Sequence, residues 1–124
     1  MLVLVVDDDP EDVEIFCYAM QSIDPTIKCI VANDGIDALG YLNQGTIPDF
    51  IFLDINMPKM NGHQCLTQIR ADPGFNDITI VMHSTSSSLA QIQAFKSMDV
   101  LFLQKPTSIK KLIGSLSEIL KINH

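Results

Sequence analysis

The sequence predicts an α/β fold, a doubly wound domain on a five-stranded parallel sheet with five helices. Three observations predict it. Five short apolar runs alternate with five amphipathic stretches along the 124 residues, the repetition expected of a parallel sheet with right-handed crossovers. Runs such as Leu2 to Val6 and Phe50 to Leu53 are unbroken, as strands covered on both faces are. Capping and turn residues, among them Asp9-Pro10 and Asp72-Pro73-Gly74, punctuate the series.

Leu2 to Val6 forms the first strand. Asp9 caps the helix after it, Pro10 fits the first turn, Glu11 and Asp12 lie at the positive end, and Val13, Phe16, Cys17 and Met20 recur at helical spacing. A second strand spans Ile27 to Ala32, followed by a cap at Asn33-Asp34 and a helix to about Asn43. Phe50 to Leu53 is the third strand, and its helix runs from about Gly62 to Ala71. Ile78 to Met82 is the fourth, and a hydroxyl-rich turn, Ser84 to Ser88, leads to a helix carrying Leu89, Ile92 and Phe95. The fifth strand, Val100 to Leu103, passes through Lys105-Pro106 into a last helix with Leu112, Ile113, Leu116, Ile119 and Leu120 on one face. With no repeat, linker or low-complexity tract, residues 1–124 read as one domain.

A chain of this size buries about two-thirds of the surface its unfolded form exposes. With 47% apolar residues it needs no disulfide or structural metal. The longest apolar run falls far short of the ~20 residues that span a bilayer, and no signal peptide precedes the first strand, so a cytoplasmic protein is expected. Cys17, Cys29 and Cys65 are odd in number and far apart in sequence, with no C-x-x-C pair, and read as reduced core thiols. The net charge of -7 argues against binding nucleic acid or an anionic membrane through a broad electrostatic footprint. Negative charge is densest at Asp7-Asp8-Asp9 with Glu11 and Asp12.

In open α/β sheets, sites form beyond the carboxyl ends of the strands. There the sequence puts Asp7-Asp8 after strand one, Asp54 after strand three, Ser84-Thr85 after strand four and Lys105 after strand five. Carboxylates gathered at one edge repel unless a cation lies among them, and hard oxygen ligands point to Mg²⁺. Mg²⁺ favours a phosphoryl group, to which a lysine and a hydroxyl add charge and hydrogen bonding. No nucleophilic cysteine, serine-histidine pair or glycine-rich phosphate loop is present, which leaves a carboxylate as the acceptor. His63, His83 and His124 lack metal-ligand spacing and read as surface or packing residues.

Four segments and a single glycine, in this order and at these separations, resemble the receiver domains of two-component response regulators. They are Leu2 to Asp8, Phe52-Leu53-Asp54-Ile55-Asn56-Met57-Pro58 with Gly62, Ser84-Thr85, and Phe102-Leu103-Gln104-Lys105-Pro106. The resemblance implies a flavodoxin-like strand order 2-1-3-4-5 and a phosphorelay switch. Asp54 takes the role of phosphoacceptor. Asp8, Asp54 and the backbone carbonyl of Asn56 form a Mg²⁺ cage, with Asp7 assisting through water. Lys105 pairs with the phosphoryl oxygens, Ser84 donates to one of them after transfer, and Phe102 stands at the aromatic switch position. The Lys105-Pro106 bond matches a cis peptide of the family. A sensor histidine kinase or phosphotransfer protein is the implied donor. The implied output is a downstream protein met through the fourth predicted helix, the fifth strand and the fifth helix. Self-phosphorylation and slow hydrolysis are implied, without turnover of an external substrate.

The sequence departs from the family where Ser84 replaces a more frequent threonine, His83 occupies a usually apolar place, and Phe102 lacks the hydroxyl of the tyrosine often found there. Nothing after Ile122 is long enough for an output domain, so the expectation is a stand-alone receiver or a domain of a longer chain. A haloacid-dehalogenase-type phosphohydrolase is the enzyme alternative, but it needs an aspartate where Asn56 stands, and its acidic metal pair comes late in the chain. Flavin binding of the flavodoxin type needs a phosphate loop where this chain has three aspartates. A receiver that never takes phosphate is opposed by the intact acceptor, acid pair and lysine.

Overall fold

The computed structural model describes residues 1–55, 60, 62–84, 99–106 and 108–122, with residue 122 described by its backbone alone. Strands β1 (Leu2–Val6), β2 (Lys28–Ala32), β3 (Phe50–Asp54), β4 (Thr79–Ser84) and β5 (Leu101–Gln104) form one parallel sheet in the order β2-β1-β3-β4-β5. The central strands are the unbroken apolar runs. All of β3 is buried, whereas β2 and β5 at the edges are partly exposed.

Helix α1 (Pro10–Ile23) starts where the sequence places it, with the Asp9 carboxylate accepting the Glu11 N–H at 3.0 Å and Pro10 in the first turn. Asp34 caps α2 (Gly35–Asn43) by accepting the Asp37 N–H at 2.8 Å. Helix α3 (Gly62–Ala71) has the expected bounds, and the breaker after it folds into a 3₁₀ turn, Pro73–Phe75, capped by Asp72. Helix α4 (Ile109–Ile122) closes the described chain. Four α-helices therefore lie among the described residues instead of five. The helix expected to carry Leu89, Ile92 and Phe95 falls in residues 85–98, outside them. No helix among the described residues is long and apolar enough to cross a membrane.

Alternate strand residues feed two cores. Leu4, Val6, Ile51, Leu53, Ile80 and Met82 pack with α2 and α3. Val3, Val5, Phe50, Phe52, Val81 and Leu103 pack on the other face with Phe16 and Met20 of α1 and Leu112, Leu116 and Leu120 of α4. This period-two division is what a doubly wound sheet requires. Cys65 is buried, while Cys17 on α1 and Cys29 on β2 are half-buried and near enough for each to shift the other's ionisation.

Two expectations need correction. Strand β4 continues two residues past Met82, because His83 and Ser84 keep pairing with Leu103 and Gln104 of β5. The Lys105-Pro106 bond, expected to be cis, is trans, since no peptide among the described residues is cis. Trans is the form favoured by about 0.5–1 kcal/mol before proline.

Candidate functional site

The site residues are set at the carboxyl edge by the ladder itself. Asp7 follows β1, and its N–H donates to the Ala32 carbonyl at 3.1 Å, carrying the β1–β2 pairing one step further. Its carboxylate is buried, with Oδ1 accepting the Asp9 N–H at 3.0 Å and Oδ2 accepting Lys105 Nζ at 2.9 Å. Asp8 beside it is exposed. Asp54 ends β3 opposite His83 and is also buried. Gly62 permits this arrangement, because a Cβ there would stand 2.6 Å from the Asp54 carbonyl oxygen and 2.8 Å from Ile55 Cα. Helix α3 can start that close only without a side chain, and its first N–H donates to the Ile55 carbonyl at 2.9 Å.

One oxygen from each of Asp7, Asp8 and Asp54 lies within 4.8 Å of the others. Such a cluster of hard, charged donors matches the coordination chemistry of Mg²⁺ or Mn²⁺ and is self-repelling without a cation.

Lys105 reaches the cluster from the residue after β5. Its backbone N–H donates to the Ser84 carbonyl at 2.7 Å, and its Nζ lies 2.9 Å from Asp7, 3.1 Å from Asp12 and 3.7 Å from Asp54. Burial works to lower its pKa. The Asp7 hydrogen bond, the charges of Asp54 and Asp7, and the Asp12 hydrogen bond outweigh that and hold it above the ordinary lysine value. The group is an ammonium at any physiological pH.

Of the other predicted residues, Ser84 is buried at the end of β4, and Phe102 is half-buried in β5 opposite Met82, against the α2–α3 core. Asn56 lies outside the described residues. The structure thus brings Asp7, Asp8, Asp54 and Lys105 together and puts Ser84 on the same edge.

Two residues carry more than the sequence reading gave them. Asp12, read only as a first-turn helix charge, is a direct partner of Lys105. No local pattern signals the pairing, because the two residues stand 93 positions apart in sequence. His83 is fully buried and stacked on Phe16, with ring centroids 5.3 Å apart. Neither ring nitrogen has a hydrogen-bond partner among the described residues. Burial first, and the Lys105 charge second, push its pKa down to about 3, opposed weakly by the Phe52 carbonyl, which lies outside hydrogen-bond geometry. His83 is therefore a neutral packing residue behind the site.

A family model described as the response regulator receiver domain matches residues 3–117. The chain belongs to that family. Response regulator Rcp1 of Synechocystis sp. is 26% identical over 125 residues, covering 95% of this chain and 85% of that protein. The sensor histidine kinase RcsC of Salmonella typhimurium is 39% identical over 70 residues, which cover 56% of this chain and only 7% of RcsC. Among solved structures, the phosphorylated cyanobacterial phytochrome response regulator RcpA aligns over 98% of this chain and 92% of its own, with a TM-score of 0.87 and 26% identity. The Mn²⁺-bound form of Rcp1 aligns over 95% and 90%, with a TM-score of 0.82 and 26% identity. As a receiver domain, the chain is a phosphoacceptor switch of two-component signalling.

Proposed function

We propose that Asp54 is the phosphoacceptor, taking a phosphoryl group from the phosphohistidine of a sensor kinase or phosphotransfer protein. The observation that carries this reading is the placing of one ammonium, Lys105, against Asp7 and Asp54 at the edge where the Asp7, Asp8 and Asp54 oxygens converge. An Asp54 carboxylate oxygen attacks phosphorus as the phosphorus–nitrogen bond breaks, and the electron pair leaves with the imidazole. Asp7, Asp8, Asp54 and the Asn56 carbonyl are the residues that would hold Mg²⁺. When bound, Mg²⁺ offsets the charge of the carboxylates and the phosphoryl oxygens. Lys105 neutralises a further phosphoryl oxygen, and the buried position of Asp54 limits the water that can hydrolyse the acyl phosphate.

Ser84 and Phe102 would carry the response. Phosphorylation gives the Ser84 hydroxyl a charged acceptor, and a charge-assisted hydrogen bond is worth roughly 1.5–3 kcal/mol, enough to shift a two-state population by about one to two decades. Phe102 is only half-buried and has burial still to gain. The changed surface would involve residues 85–98, β5 and α4, and would be read by a cytoplasmic protein partner, not by nucleic acid or membrane.

Incubation with Mg²⁺ and a small phosphodonor, followed by intact mass measurement, tests the reading. The native chain should gain one phosphoryl group and Asp54→Asn none, while stoichiometric labelling of Asp54→Asn would refute the assignment.

A further inference from the structure

We propose that Asp12 competes with the phosphoryl group for Lys105, holding the ammonium in the resting domain and yielding it when Asp54 is modified. The inference rests on the reading of Asp54 as acceptor. Three carboxylates surround Nζ, but only Asp7 and Asp54 belong to the acidic cluster. The Asp7 side chain is 2% exposed and its second oxygen is occupied by the Asp9 N–H, so it cannot turn to water. The Asp12 side chain is 40% exposed, on the first turn of α1. It rims a cavity of about 250 Å³ that also borders Lys105, Pro106 and Ile109. Water can replace the ammonium at Asp12 at little cost.

Nζ makes hydrogen bonds to Asp7 and Asp12, while Asp54 at 3.7 Å is beyond hydrogen-bond distance. A phosphoryl group on Asp54 adds charged oxygens on the Asp54 side of Nζ, which draws the ammonium toward them, and the contact that lengthens most readily is the solvent-facing one. Asp12 then acts against the reaction by restraining the lysine. It is a positioning residue that acts through Lys105.

The test is Asp12→Asn, which keeps the shape and removes the charge. The rate of labelling by a small phosphodonor with Mg²⁺, below saturation, should rise about two- to fivefold, the range a half-exposed ion pair spans. Affinity for beryllium fluoride should rise alongside it, and both gains should shrink at high salt. In a Lys105→Gln background the Asp12→Asn effect should vanish. An equal or slower rate in Asp12→Asn with an unchanged unfolding midpoint would overturn the proposal, as would a gain that persists without Lys105. Native labelling with no Asp12 effect defeats this inference alone. A native chain that takes no phosphoryl group defeats the acceptor reading and this inference with it.

Discussion

Arg70 and Lys105 are cations held at opposite edges of one sheet, and their partners differ in kind. At the amino edge the Arg70 guanidinium donates to the carbonyls of Phe75 at 3.1 Å, Asn76 at 3.5 Å, Ile78 at 3.0 Å and Asp99 at 3.2 Å. These segments lead into β4 and β5, and Asp99 stands at a left-handed φ of 52°. Nearby, the Leu2 N–H donates to the Asp49 carboxylate and the Asp49 N–H returns a bond to the Leu2 carbonyl, both at 2.8 Å. At the carboxyl edge Lys105 faces three carboxylates. Main-chain carbonyls are fixed partners, whereas carboxylates can take a metal or a phosphoryl group and release the lysine. One edge is built for permanence and the other for exchange.

Three perturbations sharpen that contrast. Arg70→Ala strips four main-chain carbonyls of a charged donor, and about 2–3 kcal/mol of stability should be lost. Its labelling per folded molecule should equal that of the native chain. Denaturant unfolding paired with phosphodonor labelling checks both, and impaired labelling would erase the division between the edges.

His83 separates stability from chemistry by pH. Its folded pKa, about 3, lies below the ordinary histidine value of 6.5. The unfolded chain therefore binds the extra proton between those values, and stability present above pH 6.5 is lost as pH falls toward 3. By pH 5 the loss reaches about 2 kcal/mol. His83→Leu should lack this component and, with no orphaned imidazole to bury, should be at least as stable as the native chain at pH 7. Parallel pH slopes for the two proteins from pH 7 to 5 would contradict the buried neutral ring.

The smallest effect belongs to the metal. Millimolar Mg²⁺ should stabilise the native chain by about 1 kcal/mol through mass action, and Asp8→Ala should lose most of that gain. Thermal melts with and without Mg²⁺ decide it, and equal gains in the two proteins would remove Asp8 from the cluster.

Most of the fold was legible because the decisive signals are local. Unbroken runs such as Phe50 to Leu53 give buried strands, and Asp9-Pro10 and Asn33-Asp34 give helix starts. The strand ends were less so, since Asp54, His83 and Ser84 are polar and read as loop until their ladder partners are known. Asp7, Asp8, Asp54 and Lys105 could be named because each stands within two residues of the end of an apolar run at one edge. What stayed hidden depends on side chains meeting across the fold. Lys105 and Asp12 stand 93 residues apart in sequence, and the nearness of Cys17 to Cys29 follows from how α1 lies on β2.

The central claim is that the exchangeable edge carries the phosphoryl group on Asp54. Borohydride reduction of the labelled chain converts an aspartyl phosphate to homoserine, and tandem mass spectrometry locates the residue. The account predicts homoserine at position 54 alone, formed only when Mg²⁺ and the phosphodonor are both present. Homoserine at position 7, 8 or 12, or at position 54 without the metal, would contradict it.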